Sequence, residues 1–327
     1  MAAILVTGGA GYIGAHTARL LLEEGHDVQV LDDLSKGYAH NVPKGRLHIV
    51  NLHDVASLDS LFARHRFEAV IHFAALIAVG ESMREAERYF RNNVGGSLTL
   101  FEVMRRHGVR RLVFSSTAAV YGDPDSTPIP EDAPLRPKNP YGESKLMVEK
   151  ILGWLDRTSG LRSVSLRYFN ACGAEPRYGI GEEHQPETHL IPLILRAILT
   201  GEPLVVYGDD YPTPDGTCIR DYIHVLDLAA AHLLALEALG EQEMMIYNLG
   251  NGAGHSNRQV LEAARRVTGH PIPAEIAPRR SGDPPILVAD ATRIRHELGW
   301  IPRYPDLEEI IASAWEWHRS HPDGYRD

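Results

Sequence analysis

The sequence predicts an α/β protein: a doubly wound parallel sheet accompanied by a second, smaller α/β substrate domain. Three observations carry that expectation. Short apolar runs alternate with helical patterns through the first half, and a glycine-rich loop joins the first run to the first helix. From Ala171 the chain changes character and is rich in Gly, Pro and Glu through Pro186. Strands alternating with helices build βαβ units, and right-handed crossovers lay their strands side by side and parallel.

In chain order, Ile4-Leu5-Val6 predicts the first strand and residues 16–24 the first helix. Val28-Gln29-Val30-Leu31, ending at Asp32, is the second strand, and Leu47-His48-Ile49-Val50 the third. Ala69-Val70-Ile71-His72-Phe73, Arg111-Leu112-Val113-Phe114 and Ser163-Val164-Ser165-Leu166 are the next three. Helical patterns fall around residues 55–65, 93–107 and 141–157. Further on, residues 190–199 read as a helix, Leu204-Val205-Val206-Tyr207 as a strand and 211–216 as turns. Residues 226–239 read as a helix, Ile246-Tyr247-Asn248-Leu249 as a strand, 271–285 as a Pro-rich connection and 307–319 as the last helix. Residues 227–250 are expected to return to the first sheet. The expected division is therefore 1–170 plus 227–250 for a dinucleotide-binding domain and 171–226 plus 251–327 for the substrate domain.

A chain of 327 residues, at about 150 per domain, fits two domains, and it is long enough to bury its core without metal or disulfide staples. Its two cysteines, Cys172 and Cys218, make no disulfide framework and suit a reducing compartment. The start runs directly into the glycine loop with no basic leader, and no apolar run approaches the ~20 residues that span a bilayer; a cytoplasmic location is expected. The formal charge of −10 argues against nucleic acid or an anionic membrane as partner. The 17 histidines are scattered, with no His-x-x-x-His or Cys-x-x-Cys pair. The run 181–189 holds ligand types (Glu182, His184, Glu187, His189) without a repeating spacing; it reads as a mobile loop near the ligand, and no metal site is expected.

Thr7-Gly8-Gly9-Ala10-Gly11-Tyr12-Ile13-Gly14 follows the first strand and opens the first helix. In that context Gly8, Gly11 and Gly14 let a pyrophosphate approach the backbone, and the helix N-terminus meets it with free N–H groups. Asp32, 18 residues after Gly14, is placed to accept the ribose hydroxyls and to repel a 2′-phosphate, with Asp33 adding to the repulsion. The cofactor expected of this Rossmann arrangement is NAD rather than NADP.

Tyr141-Gly142-Glu143-Ser144-Lys145 opens a helix, with Asn139 as its cap and Pro140 in its first turn. Tyr141 and Lys145, four apart, share one face. A phenol with an ordinary pKa of about 10 is a poor base at neutral pH. A neighbouring ammonium and the positive nicotinamide favour the phenolate, which makes Tyr141 a general base for a hydroxyl. Ser115-Ser116-Thr117 ends the fifth strand, where ligands sit in a doubly wound sheet, and the Thr117 hydroxyl can bridge substrate and Tyr141.

With these motifs, the chain resembles the extended short-chain dehydrogenases/reductases and, within them, the UDP-glucose 4-epimerase family. The resemblance runs essentially end to end. Further blocks that carry it are His72-Phe73-Ala74-Ala75 with Val79-Gly80-Glu81-Ser82, Asn92-Asn93-Val94, and Phe114–Gly122. Later blocks are Leu166-Arg167-Tyr168-Phe169-Asn170, Gly216–Val225, Tyr247-Asn248-Leu249-Gly250 and 277–283. It implies that Tyr141 takes the proton of the sugar 4-hydroxyl and that a 4-keto sugar turns over in the pocket and is reduced on its other face. UDP-galactose and UDP-glucose would thus be interconverted, and N-acetylated counterparts where the pocket has room. Cofactor contacts are implied for Tyr12, Ile13, Asn51, Leu52, Phe73, Ala74, Ala75, Asn92, Ser115 and Tyr168 beside the groups above, with Lys145 holding the nicotinamide ribose. For the sugar nucleotide they are implied for Thr117, Tyr141, Asn170, His189, Leu190, Val205, Tyr207, Arg220, Arg280, Asp283 and Leu287. A guanidinium fork suits a diphosphate in geometry and charge. The family implies a homodimer.

The chain departs from some members of the family at three places: Asn51 replaces an adenine-contacting aspartate, Ile77 a lysine near the phosphates, and Leu287 a tyrosine that narrows the sugar pocket. Thr117 is followed by Ala118 and Ala119, so the Asp-Glu pair of a 4,6-dehydratase is absent. The competing readings are a 4-epimerase of UDP-glucuronate or a UDP-pentose, and a catalytically dead NAD-sensing regulator, which Tyr141 and Lys145 argue against.

Overall fold

The structure, a computed structural model, describes residues 2–240, 244–280 and 283–325. Ser281 and Gly282 of the late resemblance block lie outside the described residues. The order begins β1 (Ala3–Thr7), α1 (Tyr12–Glu23), β2 (Asp27–Asp32), β3 (Leu47–Ile49), α2 (Val55–His65) and β4 (Ala69–His72). Two short helices follow, α3 (Val79–Ser82) and α4 (Ala86–Tyr89), then α5 (Gly96–Arg106), β5 (Arg111–Ser115), α6 (Pro140–Ser159), β6 (Arg162–Tyr168) and β7 (Asn170–Cys172). The second half runs α7 (Leu190–Thr200), β8 (Leu204–Tyr207), β9 (Ile219–His224), α8 (Val225–Ala238), β10 (Met245–Leu249) and β11 (Gly254–Ser256). It ends with α9 (Asn257–Thr268), β12 (Ala274–Ala277), β13 (Ile286–Leu287), α10 (Thr292–Leu298) and α11 (Leu307–Ser320).

Seven strands form a parallel sheet in the order β10-β6-β5-β4-β1-β2-β3. The expected return of the chain occurs: α8 packs on α1, and β10 pairs with β6 at the sheet edge. Side chains alternate along a strand, so β1 sends Ile4 and Val6 to a core under α1 and α8, and Leu5 to a core under α2, α5 and α6. Burial on both faces is what makes these strands continuously apolar in sequence. A second, mixed assembly sets β9 between β11 and β13 with β7 alongside, and pairs β8 with β12. A third core under α7, α9 and α11 supports it through Ile194, Leu195, Val260 and Ile311.

One helix departs from expectation. The pattern read as helix from about residue 93 begins instead as a π-helical segment, Phe90–Gly95, before α5 takes over. The wider turn points Asn93 inward, where it accepts from the backbone N–H of Leu76 at 2.8 Å and donates to Ser144 Oγ at 3.0 Å. Local π-helix of this kind gathers at functional sites.

Candidate active site

The chain leaves β1 in one direction towards β2 and β3 and in the other towards β4, β5, β6 and β10, so the switch point lies at the carboxyl ends of β1 and β4. Ligands bind there in open α/β sheets. Gly8 has a φ of 70°, and a Cβ on it would stand 2.6 Å from Ala74 N. A Cβ on Gly14 would stand 2.3 Å from Gly8 O, so only glycine lets the helix pack onto the loop. Gly11, the N-cap of α1, makes no side-chain cap, and a Cβ there would meet only Gly8 O, at 3.4 Å. Its open face beside free helix N–H groups is a cradle for an anion. The residues present therefore fit a dinucleotide pyrophosphate.

Asp32 accepts from Ala10 N at 3.0 Å and Leu34 N at 2.9 Å, which ties the end of β2 to the glycine loop; burial raises its carboxyl above the usual range. Asn51 donates to Asp33 Oδ2 at 2.8 Å and accepts from His53 N at 3.0 Å. Where an adenine contact is expected of it, the amide braces Asp33. Leu52 is buried under Gly96, and Ile77 is exposed. Tyr12 donates to Gly173 O at 2.6 Å and fixes the loop to the chain after β7; Ile13 joins the core on that side of the sheet. Phe73 N and Ala74 N both donate to Thr7 O, holding the half-buried 73–75 turn against β1. Asn92 donates to Asn93 Oδ1 at 3.0 Å.

Asn139 caps α6 by accepting from Gly142 N at 2.8 Å, which sets Tyr141 in the first turn. Thr117, just past β5, accepts from Ala119 N at 3.1 Å and sets its hydroxyl beside the Tyr141 phenol. Burial raises that phenol above its ordinary range, and the Thr117 hydroxyl pulls the other way. One turn on, Lys145 is buried and donates from Nζ to Ser115 O at 2.8 Å, 5.0 Å above the Phe114 ring. Burial lowers its ammonium to about 7, with Glu149 opposing. Ser115 Oγ and Tyr168 Oη share a short hydrogen bond beside it.

Beneath this lies a buried network whose centre, Glu149, no motif marks. Glu149 receives Ser116 Oγ at 2.5 Å and the Arg167 guanidinium at 3.0 and 2.6 Å. Arg167 also donates to Tyr121 Oη at 3.0 Å, and Tyr121 donates to Asn248 Oδ1 at 2.7 Å. The signal available in sequence was the third member of the helix face, Glu149 four residues past Lys145.

The residues expected at the sugar nucleotide line the second assembly. In β13, Leu287 is paired in register with Arg220 of β9. Its side chain packs on a cluster of Ala118, Leu146 and Phe169, each the sequence neighbour of Thr117, Lys145 or Tyr168. Arg220 is not a free anion fork: it donates to Ile219 O at 2.8 Å and forms a tight ion pair with Asp283. Asn170 donates to the backbone of Asp221 at 3.1 Å. Arg280 stacks 4.0 Å from the Tyr207 ring, on the face of β8 that also presents Val205. His189 is the N-cap residue of α7 and Leu190 its first residue.

The run 181–189, read as a loop without ligand spacing, folds so that Glu182, His184, Glu187 and His189 converge. Burial works against the charged form of His189, but Glu182 and Glu187 outweigh it and raise the imidazole to about 9.

The profile of the NAD-dependent epimerase/dehydratase family matches residues 4–250, and the chain belongs to that family. A UDP-glucose 4-epimerase of Halalkalibacterium halodurans is 53% identical over 325 residues, covering 99% of this chain and 97% of the relative. The Brucella ovis UDP-glucose 4-epimerase, solved with NAD, superposes with a TM-score of 0.93 at 45% identity, covering 97% of this chain and 98% of that one. The Bifidobacterium longum UDP-glucose 4-epimerase, solved with NAD+ and UDP, gives 0.94 at 38% identity, covering 99% and 100%. Within its family the chain stands among the UDP-glucose 4-epimerases.

Proposed function

We propose that the protein is an NAD-dependent UDP-hexose 4-epimerase that interconverts UDP-galactose and UDP-glucose through a 4-keto sugar. The observation that carries this reading is the Tyr141 phenol, eased by the neighbouring Thr117 hydroxyl and one helical turn from buried Lys145, at the strand ends beside the glycine cradle. Bound NAD supplies a hydride acceptor and donor whose net redox change is zero over the cycle. Tyr141 takes the 4-hydroxyl proton and returns it, Thr117 orients that hydroxyl, and Lys145 favours the phenolate and holds the nicotinamide ribose. Gly8, Gly11, Gly14, Asp32, Phe73, Ala74 and Ser115 line the cofactor. Asn170, Arg220, Arg280 and Asp283 take the uridine diphosphate, which draws Arg220 away from Asp283 as it binds. Residues 1–170 with 227–250 serve the cofactor, and the rest serves the sugar nucleotide.

Three finer readings accompany it. Leu287 leaves room for a 2-acetamido group. The chain forms a homodimer through α5 and α6, which expose Leu98, Met147 and Trp154. The protein works in the cytoplasm, in keeping with its two free, buried cysteines; no described helix is long and apolar enough to cross a membrane.

The test is to incubate purified protein with UDP-galactose, without added NAD, and quantify UDP-glucose by chromatography. Product establishes 4-epimerisation and a retained cofactor together. No product even after NAD is supplied rejects this reading in favour of a glucuronate or pentose epimerase.

A further inference from the structure

The loop between β7 and α7 carries four ligating side chains in the spacing Glu-x-His-x-x-Glu-x-His: Glu182, His184, Glu187 and His189. Their ligand atoms all lie within 4.8 Å of one another. Nδ1 of His189 is 2.9 Å from Glu187 and 3.1 Å from Glu182; Nδ1 of His184 is 3.4 Å from Glu187 and 3.6 Å from Glu182. Zinc with ligand bonds of about 2.0–2.1 Å places tetrahedral ligands about 3.3 Å apart; the nitrogen–oxygen distances straddle that value, with Glu187 meeting His189 through Oε1 and His184 through Oε2. His184 Nδ1 is closed off from solvent and completes no hydrogen bond. Glu182 is buried, and among the described residues neither carboxylate forms an ion pair with a lysine or arginine. With a metal bound, both imidazoles must be neutral, so the cation displaces the proton that Glu182 and Glu187 otherwise hold on His189; the donor set then carries the −2 of its two carboxylates, which a divalent cation neutralises.

We propose that these four side chains form a structural Zn²⁺ site that clips the 182–189 loop. Two nitrogens and two carboxylate oxygens in a closed tetrahedron are a zinc donor set, with no position left open for water or substrate. The site is therefore separate from the proton chemistry of Tyr141. Its role follows from where the loop goes. His189 and Leu190 start α7, Gln185 O receives Lys36 Nζ at 2.8 Å, and Glu183 receives Tyr325 N at 2.6 Å. A metal here fixes a segment that bridges the loop after β2, the C-terminal residues and the start of α7.

The test uses untagged, full-length protein dialysed against a chelator. Zn²⁺ titration is expected to show one equivalent bound, and Co²⁺ in its place the intense visible absorption of a tetrahedral site. Glu182→Gln and His184→Ala each lose a ligand and are expected to weaken Zn²⁺ by about 100-fold or more, because even partners that only orient a ligand cost 10–100-fold. Neither variant alters the Tyr141 constellation, so circular dichroism and NAD content serve as controls for folding. Failure of the parent protein to bind an equivalent of Zn²⁺ or Co²⁺ overturns the proposal whatever the variants do. So does stoichiometric binding that both folded variants retain.

Discussion

Glu149 follows Lys145 by one turn of α6 and directs both carboxylate oxygens at the Arg167 guanidinium, 3.0 and 2.6 Å away, with each side chain almost wholly buried. The pair links the catalytic helix to β6, whose end carries Tyr168. Breaking a buried pair from one side strands the other charge, at about 3–5 kcal/mol, whereas replacing both by apolar groups costs far less. Arg167→Met is expected to lose about that much stability in urea unfolding, and the Glu149→Leu/Arg167→Met double variant to recover much of it. Losses that simply add would show the two side chains to be uncoupled.

Lys145 is held in a place that disfavours its charge. Burial lowers its ammonium to about 7 in the folded protein, against an ordinary 10.5. Between those values the unfolded chain binds more protons than the native one, so this group's contribution to stability rises with pH across the window; below pH 7 the full penalty applies. Lys145→Met is expected to abolish turnover of the NAD-loaded enzyme, yet to raise the melting midpoint of NAD-stripped protein at pH 7 by about 2–4 °C. That advantage should shrink towards pH 10. A variant less stable than the parent at pH 7 would show that the ammonium is better compensated by Ser115 and Glu149 than this argument allows.

The parallel sheet was legible because burial on both faces leaves an unmistakable trace: Ile4-Leu5-Val6 and Ala69-Val70-Ile71 are apolar throughout. The glycine loop and the Tyr141–Lys145 face were legible because backbone contact and helical spacing are local. What lay hidden depends on tertiary partners. Asn93 turns inward only because Leu76 and Ser144 await it. Arg220 is engaged by Asp283, 63 residues away in sequence. The convergence of Glu182, His184, Glu187 and His189 needs the fold of a loop, where no helical or strand period signals it.

Thr117 should matter to rate more than to binding. Its hydroxyl lowers the cost of the Tyr141 phenolate in a buried setting, and a correctly placed proton-transfer partner contributes about 10²–10⁴-fold. Thr117→Val, which keeps shape but removes the hydroxyl, is expected to reduce kcat by about 10–100-fold while NAD content and the KM for UDP-galactose stay close to those of the parent. An effect mainly on KM would make Thr117 a binding residue instead.

Trp154 is 64% exposed on α6, seven residues from exposed Met147, and α5 exposes Leu98. A solvent-facing apolar patch of this kind marks an interaction surface, and a stable dimer buries about 1,200–2,000 Å² in all. Light scattering of the parent protein is expected to give twice the 36.3 kDa chain mass, and Trp154→Glu is expected to shift it to the monomer. A dimer indifferent to this charge would place the interface elsewhere.

Leu287 is the residue proposed to set the width of the sugar pocket. It is half-buried, opposite Arg220, and packs on the cluster that includes Ala118, Leu146 and Phe169, the sequence neighbours of Thr117, Lys145 and Tyr168; a larger ring at this position is expected to narrow the sugar pocket. Leu287→Tyr is expected to lower kcat/KM for UDP-N-acetylglucosamine by about 10–200-fold, the scale on which apolar pocket fit discriminates. UDP-galactose, without the 2-acetamido group, should lose little. The comparison has meaning only if the parent turns over the N-acetylated sugar at all. A parent inactive on it at millimolar concentration, yet active on UDP-galactose, would mean that another part of the wall closes the pocket and that Leu287 does not set its width.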